Sequence, residues 1–493
     1  MAISSAVHRR ILVCICVVVY VVTRELNITL GPPGTGKTTA MLNKIEAFLN
    51  MGIPPEKIAF VSYTKKSVSE AAERAAERFG FSHKRFRNFR TIHSTCYQGL
   101  GITRKEVMDK ADYKQLGELL GIPFRGFRDA SEGISLGEIT GDYMLQLINL
   151  ANARTVDLRT VWKEIDQNLD WYKLKLLDDT LRQYKQDTGK LDFDDMLRNY
   201  LVVKPSVDVT AAIIDEAQDL SNAQWDVAKT AFRAAKYIDI AGDDDQAIYA
   251  WSGANVERFM AIKGNTTVLQ QSYRIPHTVH AVAQRIIKQV SVRLPKVFAA
   301  RDEGGSVQYA TQADAIDFAN GETWMLLARN TFFLQEFQDS CDIRGVPYIM
   351  RGVSSVDPEH VRAIVLWERS RKGQEMDDDD AQFVRGYAIG ATKDQFWFDA
   401  LKKIPLQKRE YYLSALRNGH RLQDAPKIII NTIHGVKGGE ADNVALMTDM
   451  TSRSYESMNL NADNEHRVFY VGATRARKNL HIIQPQTVRG YLI

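Results

Sequence analysis

ELNITLGPPGTGKTTAMLNKIEAFLN, residues 25–50, decides the fold class. A short apolar run enters a glycine-rich turn. The turn leads into a segment with apolar residues at Met41, Leu42, Ile45, Phe48 and Leu49, the spacing of one helical face. Gly52 and Pro54 end that helix. The turn itself, GPPGTGKT (Gly31, Pro32, Pro33, Gly34, Thr35, Gly36, Lys37, Thr38), fits the pattern G-x-x-x-x-G-K-[ST]. Glycines let such a loop wrap so that backbone N–H groups point at phosphate oxygens, and the following helix adds the positive end of its dipole. Thr39 continues into that helix. Lys37 is placed to reach the β- and γ-phosphates of a nucleotide and Thr38 to hold Mg²⁺. The strand–turn–helix context is what separates this stretch from a chance match.

Outward from there, the same rhythm recurs. KIAFVSYT (57–64) precedes a helical pattern through EAAERAAERF to Gly80. VTAAIIDEAQ (209–218) and KYIDIAGDDDQ (236–246) are near-continuous apolar runs that end in acids. VLQQSYR, TWMLLARN, KIIINTIH and NVALMTD repeat the theme in the second half. Uninterrupted apolar strands are typical of parallel sheets covered on both faces. Residues 96–187 differ: rich in Leu, Lys, Arg and Asp, with patterns such as WYKLKLLDDTLRQYKQDTG, they read as a helical insertion. KGQEMDDDDAQ (372–382) reads as a solvated loop, and no repeat of solenoid period is present.

The bulk numbers exclude little. At 493 residues the chain calls for more than one domain. Its 45% apolar and 25% charged residues are ordinary for a soluble globular protein. A net charge of +4 permits a nucleic-acid partner without arguing for one. Cys14, Cys16, Cys96 and Cys341 form no metal-like cluster, which suggests a reduced, cytoplasmic protein. HRRILVCICVVVYVV (8–22) is shorter than the roughly twenty residues of a membrane span. We read it as a buried strand or an extension that the fold does not use, with a membrane anchor as the alternative.

IIDEAQ completes the phosphate chemistry. Asp215 follows an apolar strand and is placed to hold Mg²⁺, and Glu216 beside it to accept a proton from an attacking water. The stretch GDDDQAIYAWSGA (242–254) adds three carboxylates, a glutamine and two aromatics on one short loop.

Taken in order, these motifs resemble those of a superfamily 1 helicase of the UvrD/Rep type. VSYTKKSVSEAAERA (61–75), TIHS (91–94), LDFDDM (191–196), IIDEAQ, GDDDQAIYAW, QSYR (271–274), TIHGVKGGE (432–440) and EHRVFYVGATRAR (465–477) resemble its successive motifs. The resemblance implies two RecA-like P-loop domains with parallel sheets, each carrying a mostly helical insertion. On this sequence they fall at 1–95 with 188–262 (first core, residues 1–27 an extension), 96–187 (its insertion), 263–355 with 426–493 (second core) and 356–425 (a reduced second insertion). It implies ATP and Mg²⁺ as cofactors. Gln246 would sense the γ-phosphate, and Arg274 and Arg475 would be cations supplied by the second core. Tyr273 would stack on adenine and Glu440 would contact the ribose. Tyr63, His93, Tyr249, Trp251, Thr432 and His434 would face DNA.

Stacking on aromatic rings grips any base, because every base has a π-face. Tyr249 and Trp251 read equally as packed core residues when taken alone, and His93 and His434 as satisfied structural histidines. The implied activity is ATP-driven movement along single-stranded DNA, 3′ to 5′, with strand separation at junctions. The implied protein is a monomer or weak dimer that works beside replication or repair proteins, without stable membrane association. The alternatives are a protein-displacing translocase with little unwinding and a nucleotide-gated DNA-binding protein with weak ATPase. Three departures stand out: residues 1–27 hold no adenine-reading glutamine, Gly439 stands where a leucine is usual, and the 356–425 segment is small.

Overall fold

The computed structural model describes residues 24–124, 140–318 and 320–493. The apolar run before residue 24, with Cys14 and Cys16, lies outside them. Among the described residues no helix is long and apolar enough to cross a membrane.

Most apolar runs form the strands expected of them, but VLQQSYR divides between Asn265–Val268 and Gln271–Pro276. β1 (Glu25–Leu30), β2 (Ile58–Ser62), β3 (Phe89–Thr91), β4 (Ala211–Ile214), β5 (Tyr237–Gly242) and β6 (Asn265–Val268) make an all-parallel sheet in the order β3-β2-β4-β5-β1-β6. Alternate residues serve its two faces. Phe60 and Ile213 pack with Met41, Ile45 and Phe48 of the helix Lys37–Asn50. Val61, Ile214 and Ile240 pack on the other face with Trp225 and Phe232. Each such aliphatic or aromatic side chain contributes about 1.5–3 kcal/mol by leaving water. The first sheet keeps the chain as far as Val268, because β6 pairs with β1; the boundary expected at 262/263 therefore falls too early.

Between β3 and β4 the chain is helical. Lys110–Leu120, Thr140–Arg154, Leu158–Ile165 and Trp171–Thr188 share a small core of their own around Leu116, Ile148, Val161, Leu174 and Leu177. Asp170 caps the last of these helices by accepting the backbone N–H groups of Tyr172 and Lys173, and Gly189 closes it with φ of 67°.

A parallel ribbon of β7 (Gln271–Pro276) and β8 (Ala299–Arg301) leads to the second sheet. That sheet comprises β9 (Ser306–Ala310), β10 (Trp324–Ala328), β11 (Tyr348–Met350), β12 (Val353–Ser354), β13 (Ile428–Thr432), β14 (Ala441–Met447) and β15 (Ala476–Ile483). Its order is β12-β11-β13-β10-β14-β15-β9, parallel except for the β11–β12 hairpin. The helices between β12 and β13 do not form a separate body. Trp367, Trp397 and Tyr412 share one core with Trp324 and Ile430 of the sheet. The expected loop at 372–382 is half wrong: Asp377 caps a helix over Asp378–Arg385. Three aspartates in a first turn favour a helix through its N-terminal dipole, although they look like solvated chain.

The two halves meet at the carboxylates of β5's end. Asp243, Asp244 and Asp245 are at most 1% exposed. Lys296, itself buried, pairs with all three, and Arg293 bonds Asp245 through Nε at 2.8 Å. Arg467 donates from Nε to the Asp244 carbonyl at 2.9 Å. Farther along the following loop, Gly253 has φ of 93°, and a Cβ there would come within 2.5 Å of Ala153 Cβ on the helix Thr140–Arg154.

Two stability predictions result. Lys296→Ala should destabilise the protein by about 3–5 kcal/mol in urea denaturation, since it leaves buried carboxylates uncompensated. Gly253→Val should cost about 2 kcal/mol through the left-handed backbone and the clash with Ala153, read as a fall in thermal midpoint.

Candidate nucleotide cleft and strand-contact surface

The phosphate loop links β1 to the helix Lys37–Asn50, and its shape is set by Gly34 (φ 72°) and Gly36 (φ 80°). Thr35 donates its hydroxyl to the Pro32 carbonyl at 2.8 Å, which closes the turn. Gly34 is also required by its neighbours. A Cβ there would lie 2.4 Å from Arg274 Cβ and 2.8 Å from Ser272 Oγ. The β7 strand docks on the loop this way: Ser272 donates to the Pro33 carbonyl at 2.8 Å, and the Tyr273 N–H to the Gly34 carbonyl at 2.8 Å. The Tyr273 side chain is 71% exposed, with its ring edge 4.0 Å from the Cβ position of Gly36. Thr38 and Thr39 occupy the first turn of the helix, Thr39 exposed.

Lys37 Nζ sits 2.6 Å from Glu216 Oε1 and 3.9 Å from Asp215 Oδ1. Burial alone would lower the lysine's pKa, but Glu216 and Asp215 outweigh it and hold the ammonium above its usual range. Glu216 follows β4 in the left-handed region at φ 51°, a strained backbone for a residue with a side chain. Gln218 donates to its second oxygen at 2.6 Å. Burial would raise the Glu216 pKa; Lys37 and Lys437 overcome that and hold it low. Burial drives Asp215 the other way, upward, with Glu216 adding to the effect. Asp215 Oδ1 is buried with no hydrogen-bond partner. An orphaned carboxylate oxygen beside the first turn of the phosphate-loop helix is what a divalent cation would satisfy, so Asp215 and Thr38 fit Mg²⁺.

Residues of the second half complete the cleft. Arg475 is 1% exposed, between the helix Ala462–Ala473 and β15. It donates to the carbonyls of Val471 at 2.9 Å and Gly439 at 3.2 Å, and to Gln246 Oε1 at 3.3 Å. Among the described residues no carboxylate lies in salt-bridge range of it. Burial and the nearby Arg274 push its pKa down to about 9. Gln246 in turn donates to Asp243 Oδ2 at 2.7 Å. The glutamine thus joins the end of the first sheet to the buried guanidinium. Arg274 Nε binds Glu440 Oε2 at 2.6 Å, and Arg477 takes the other Glu440 oxygen at 3.1 Å. The structure therefore gives Glu440 two arginine partners in addition to any ribose contact. At Gly439 a Cβ would lie 2.8 Å from Met325 Cε, the free end of a flexible side chain, so the structure does not require glycine there.

The aromatic candidates divide. Tyr63 stacks on Tyr249 with centroids 5.1 Å apart, and Trp251 meets Tyr249 edge-on at 6.1 Å. Trp251 and Tyr63 are part-buried, but Tyr249 is only 2% exposed, with its hydroxyl donating to the His434 carbonyl at 3.2 Å. Against the expectation that Tyr249 stacks on bases, its ring is buried here beneath Tyr63 and beside Trp251, as the floor under those two rings. Thr432 and His434, each 4% exposed, belong to the same floor. Thr432 Oγ1 accepts the Gly435 N–H at 3.2 Å. Burial holds the His434 pKa well below its usual value, and its Nε2 has no partner. Burial also lowers His93 to about 4; its ring meets half-exposed Phe193 edge-on at 5.4 Å.

Sequence reading missed several residues. Lys437 reaches Asp219, donates to the Gln246 carbonyl at 2.7 Å and lies 4.9 Å above the Tyr249 ring. Lys296 and Arg293 were equally invisible, because a lone cation in a loop has no pattern. The matching signal was on the other side, in three adjacent carboxylates on an apolar strand that need buried counter-charges.

Comparison with known proteins agrees with this geometry. Residues 19–267 match the UvrD/REP helicase N-terminal domain, and residues 403–487 match the UvrD-like helicase C-terminal domain. The Bacillus subtilis protein YjcD is 27% identical over 302 residues, 56% of this chain and 38% of YjcD. The ATP-dependent DNA helicase PcrA of Staphylococcus aureus is 23% identical over 315 residues, 58% of this chain and 41% of PcrA. The alignments thus span about two fifths of the length of these relatives. With half of its residues matched by the N-terminal family domain and a further stretch by the C-terminal one, the chain belongs to the UvrD/REP helicase family.

Proposed function

We propose that this protein is an ATP-dependent motor that moves 3′ to 5′ along single-stranded DNA and separates strands at junctions. The observation that carries the reading is Arg475, a buried guanidinium with no carboxylate in salt-bridge range among the described residues, held by Gln246 of the other half. A cation buried that way is poised for an anion supplied by a ligand, and a phosphate loop from the first half borders the same cleft. The names of the PcrA relatives point the same way. We take 1–95 with 188–268 as the first core, 96–187 as its insertion and 269–355 with 426–493 as the second core, with 356–425 built onto the second sheet.

In this reading the loop Gly31–Thr39 cradles the phosphates of ATP. Lys37 leaves Glu216 to bind them. That frees the Glu216 carboxylate, with Lys437 still favouring its ionised form and Gln218 fixing its second oxygen, so it can orient water and accept its proton. Mg²⁺ held by Thr38 and Asp215 would offset charge on the phosphate oxygens. Arg274 and Arg475 approach from the second core and neutralise charge developing on the transferred phosphoryl group. Tyr273 offers its exposed ring to the base, with Glu440 at the ribose. Gln246 senses loss of the γ-phosphate and passes it along its own loop to Trp251. Trp251, Tyr63 and His93 contact the strand. The protein works in the cytoplasm as a monomer or weak dimer, beside replication or repair proteins.

The small 356–425 segment, fused to the sheet core, favours a second reading: a translocase that displaces proteins and unwinds little. Steady-state ATP hydrolysis with and without oligo-dT tests the motor. Strong stimulation supports it, and tailed duplexes then read direction and unwinding. Turnover indifferent to DNA would instead favour a nucleotide-gated binder. Lys37→Ala should lower turnover by about 100-fold or more while oligo-dT binding persists. Trp251→Ala should weaken oligo-dT binding by about 1–3 kcal/mol and raise the ATP consumed per nucleotide travelled.

A further inference from the structure

The helix Thr140–Arg154 touches both halves of the molecule at its two ends. Near its start, Tyr143 meets Arg453 of the second half. The guanidinium carbon lies 4.4 Å from the ring centroid, and Arg453 Nη2 donates to the Tyr143 hydroxyl. The hydroxyl itself donates to Asp166 at 3.2 Å, so the ring is held from its own side as well. Arg453 stands on the helix Ser452–Leu460, which is pinned to the end of β10. Asn330 donates to Ser454 Oγ at 2.9 Å and accepts the Thr451 N–H at 3.1 Å. The arginine therefore moves with the second sheet.

The far end of the same helix is seated on the first core. A Cβ on Gly253, two residues from Trp251, would come 2.5 Å from Ala153 Cβ. The Arg154 carbonyl accepts from Asn222 Nδ2 at 3.1 Å. Asn222 opens the helix that follows Asp215 and Glu216, and its side-chain oxygen accepts from Asn255 at 2.9 Å. Nine helical residues lie between Tyr143 and Ala153, and the rise from one to the other is about 15 Å. None of these contacts passes through the nucleotide cleft.

We infer that this helix is a strut that carries movement of the second core to the Trp251 loop, with Arg453 and Tyr143 as positioning residues at its driven end. The inference rests on the motor reading above and adds a route separate from Gln246. A cation–ring contact suits a joint that must slide, because it tolerates changes of angle that a bidentate ion pair does not.

Linkage measures it directly. The dissociation constant of oligo-dT is determined with and without the Mg²⁺ complex of the β,γ-imido analogue of ATP, and the ratio of the two is the coupling. In the wild type this ratio should depart clearly from one. Arg453→Ala should bring it at least threefold closer to one with its thermal midpoint retained. Arg453→Lys, which keeps a cation over the ring, should stay near the wild type. An unchanged ratio in Arg453→Ala beside a coupled wild type overturns the strut and leaves the motor standing. A wild-type ratio of one overturns the motor reading and the strut with it. Loss of coupling in Arg453→Lys equal to that in Arg453→Ala would also overturn the cation–ring joint.

Discussion

A charge taken out of water must be met by another charge, and the two halves of this chain are joined where that requirement is met. Three aspartates end one strand of the first sheet with almost no exposure, and the lysine and arginine that neutralise them, Lys296 and Arg293, come from the second half. The same rule governs the cleft. Lys37 is satisfied by Glu216, Lys437 by Asp219, and Arg274 by Glu440. Arg475 departs from it, with only neutral acceptors in hydrogen-bond contact among the described residues. The ion pairs at the aspartates hold the halves in register.

Much of the fold was legible because parallel strands buried on both faces leave uninterrupted apolar runs. IAFVS and AAII are entirely buried, and both were plain. The strands that escaped were mixed. β15 starts with exposed Arg477 and Lys478 before its apolar residues, and β9, at the sheet's edge, is half-exposed throughout. The Asp377–Asp380 run misled for a related reason. Composition says solvated, while capping and the helix dipole make the same residues a helix start.

The site was legible where chemistry fixes residue type and spacing together. A phosphate loop needs its glycines, lysine and threonine in one order, and here Gly34 proves necessary twice, for its φ and for the approach of β7. Aromatic roles were less legible. Nothing in IYAW tells which ring is floor and which is surface; that is decided by Tyr63 and His434, distant in sequence, closing over Tyr249. Counter-charges such as Lys296 and Lys437 could not be assigned from the sequence, since their meaning lies in what they face.

The shared core of the second sheet and its helical insertion has a consequence of its own. A segment that swivels as a rigid lobe, or that can be excised to leave a smaller engine, must own the apolar surface it rests on. Trp367, Trp397 and Tyr412 rest instead against Trp324 and the β13 strand. Rotating or trimming them away would strip the wall from the second sheet. In this chain the segment is masonry, and large-scale reorientation has to be sought at the slender joints elsewhere, where a few side chains rather than a core make the contact.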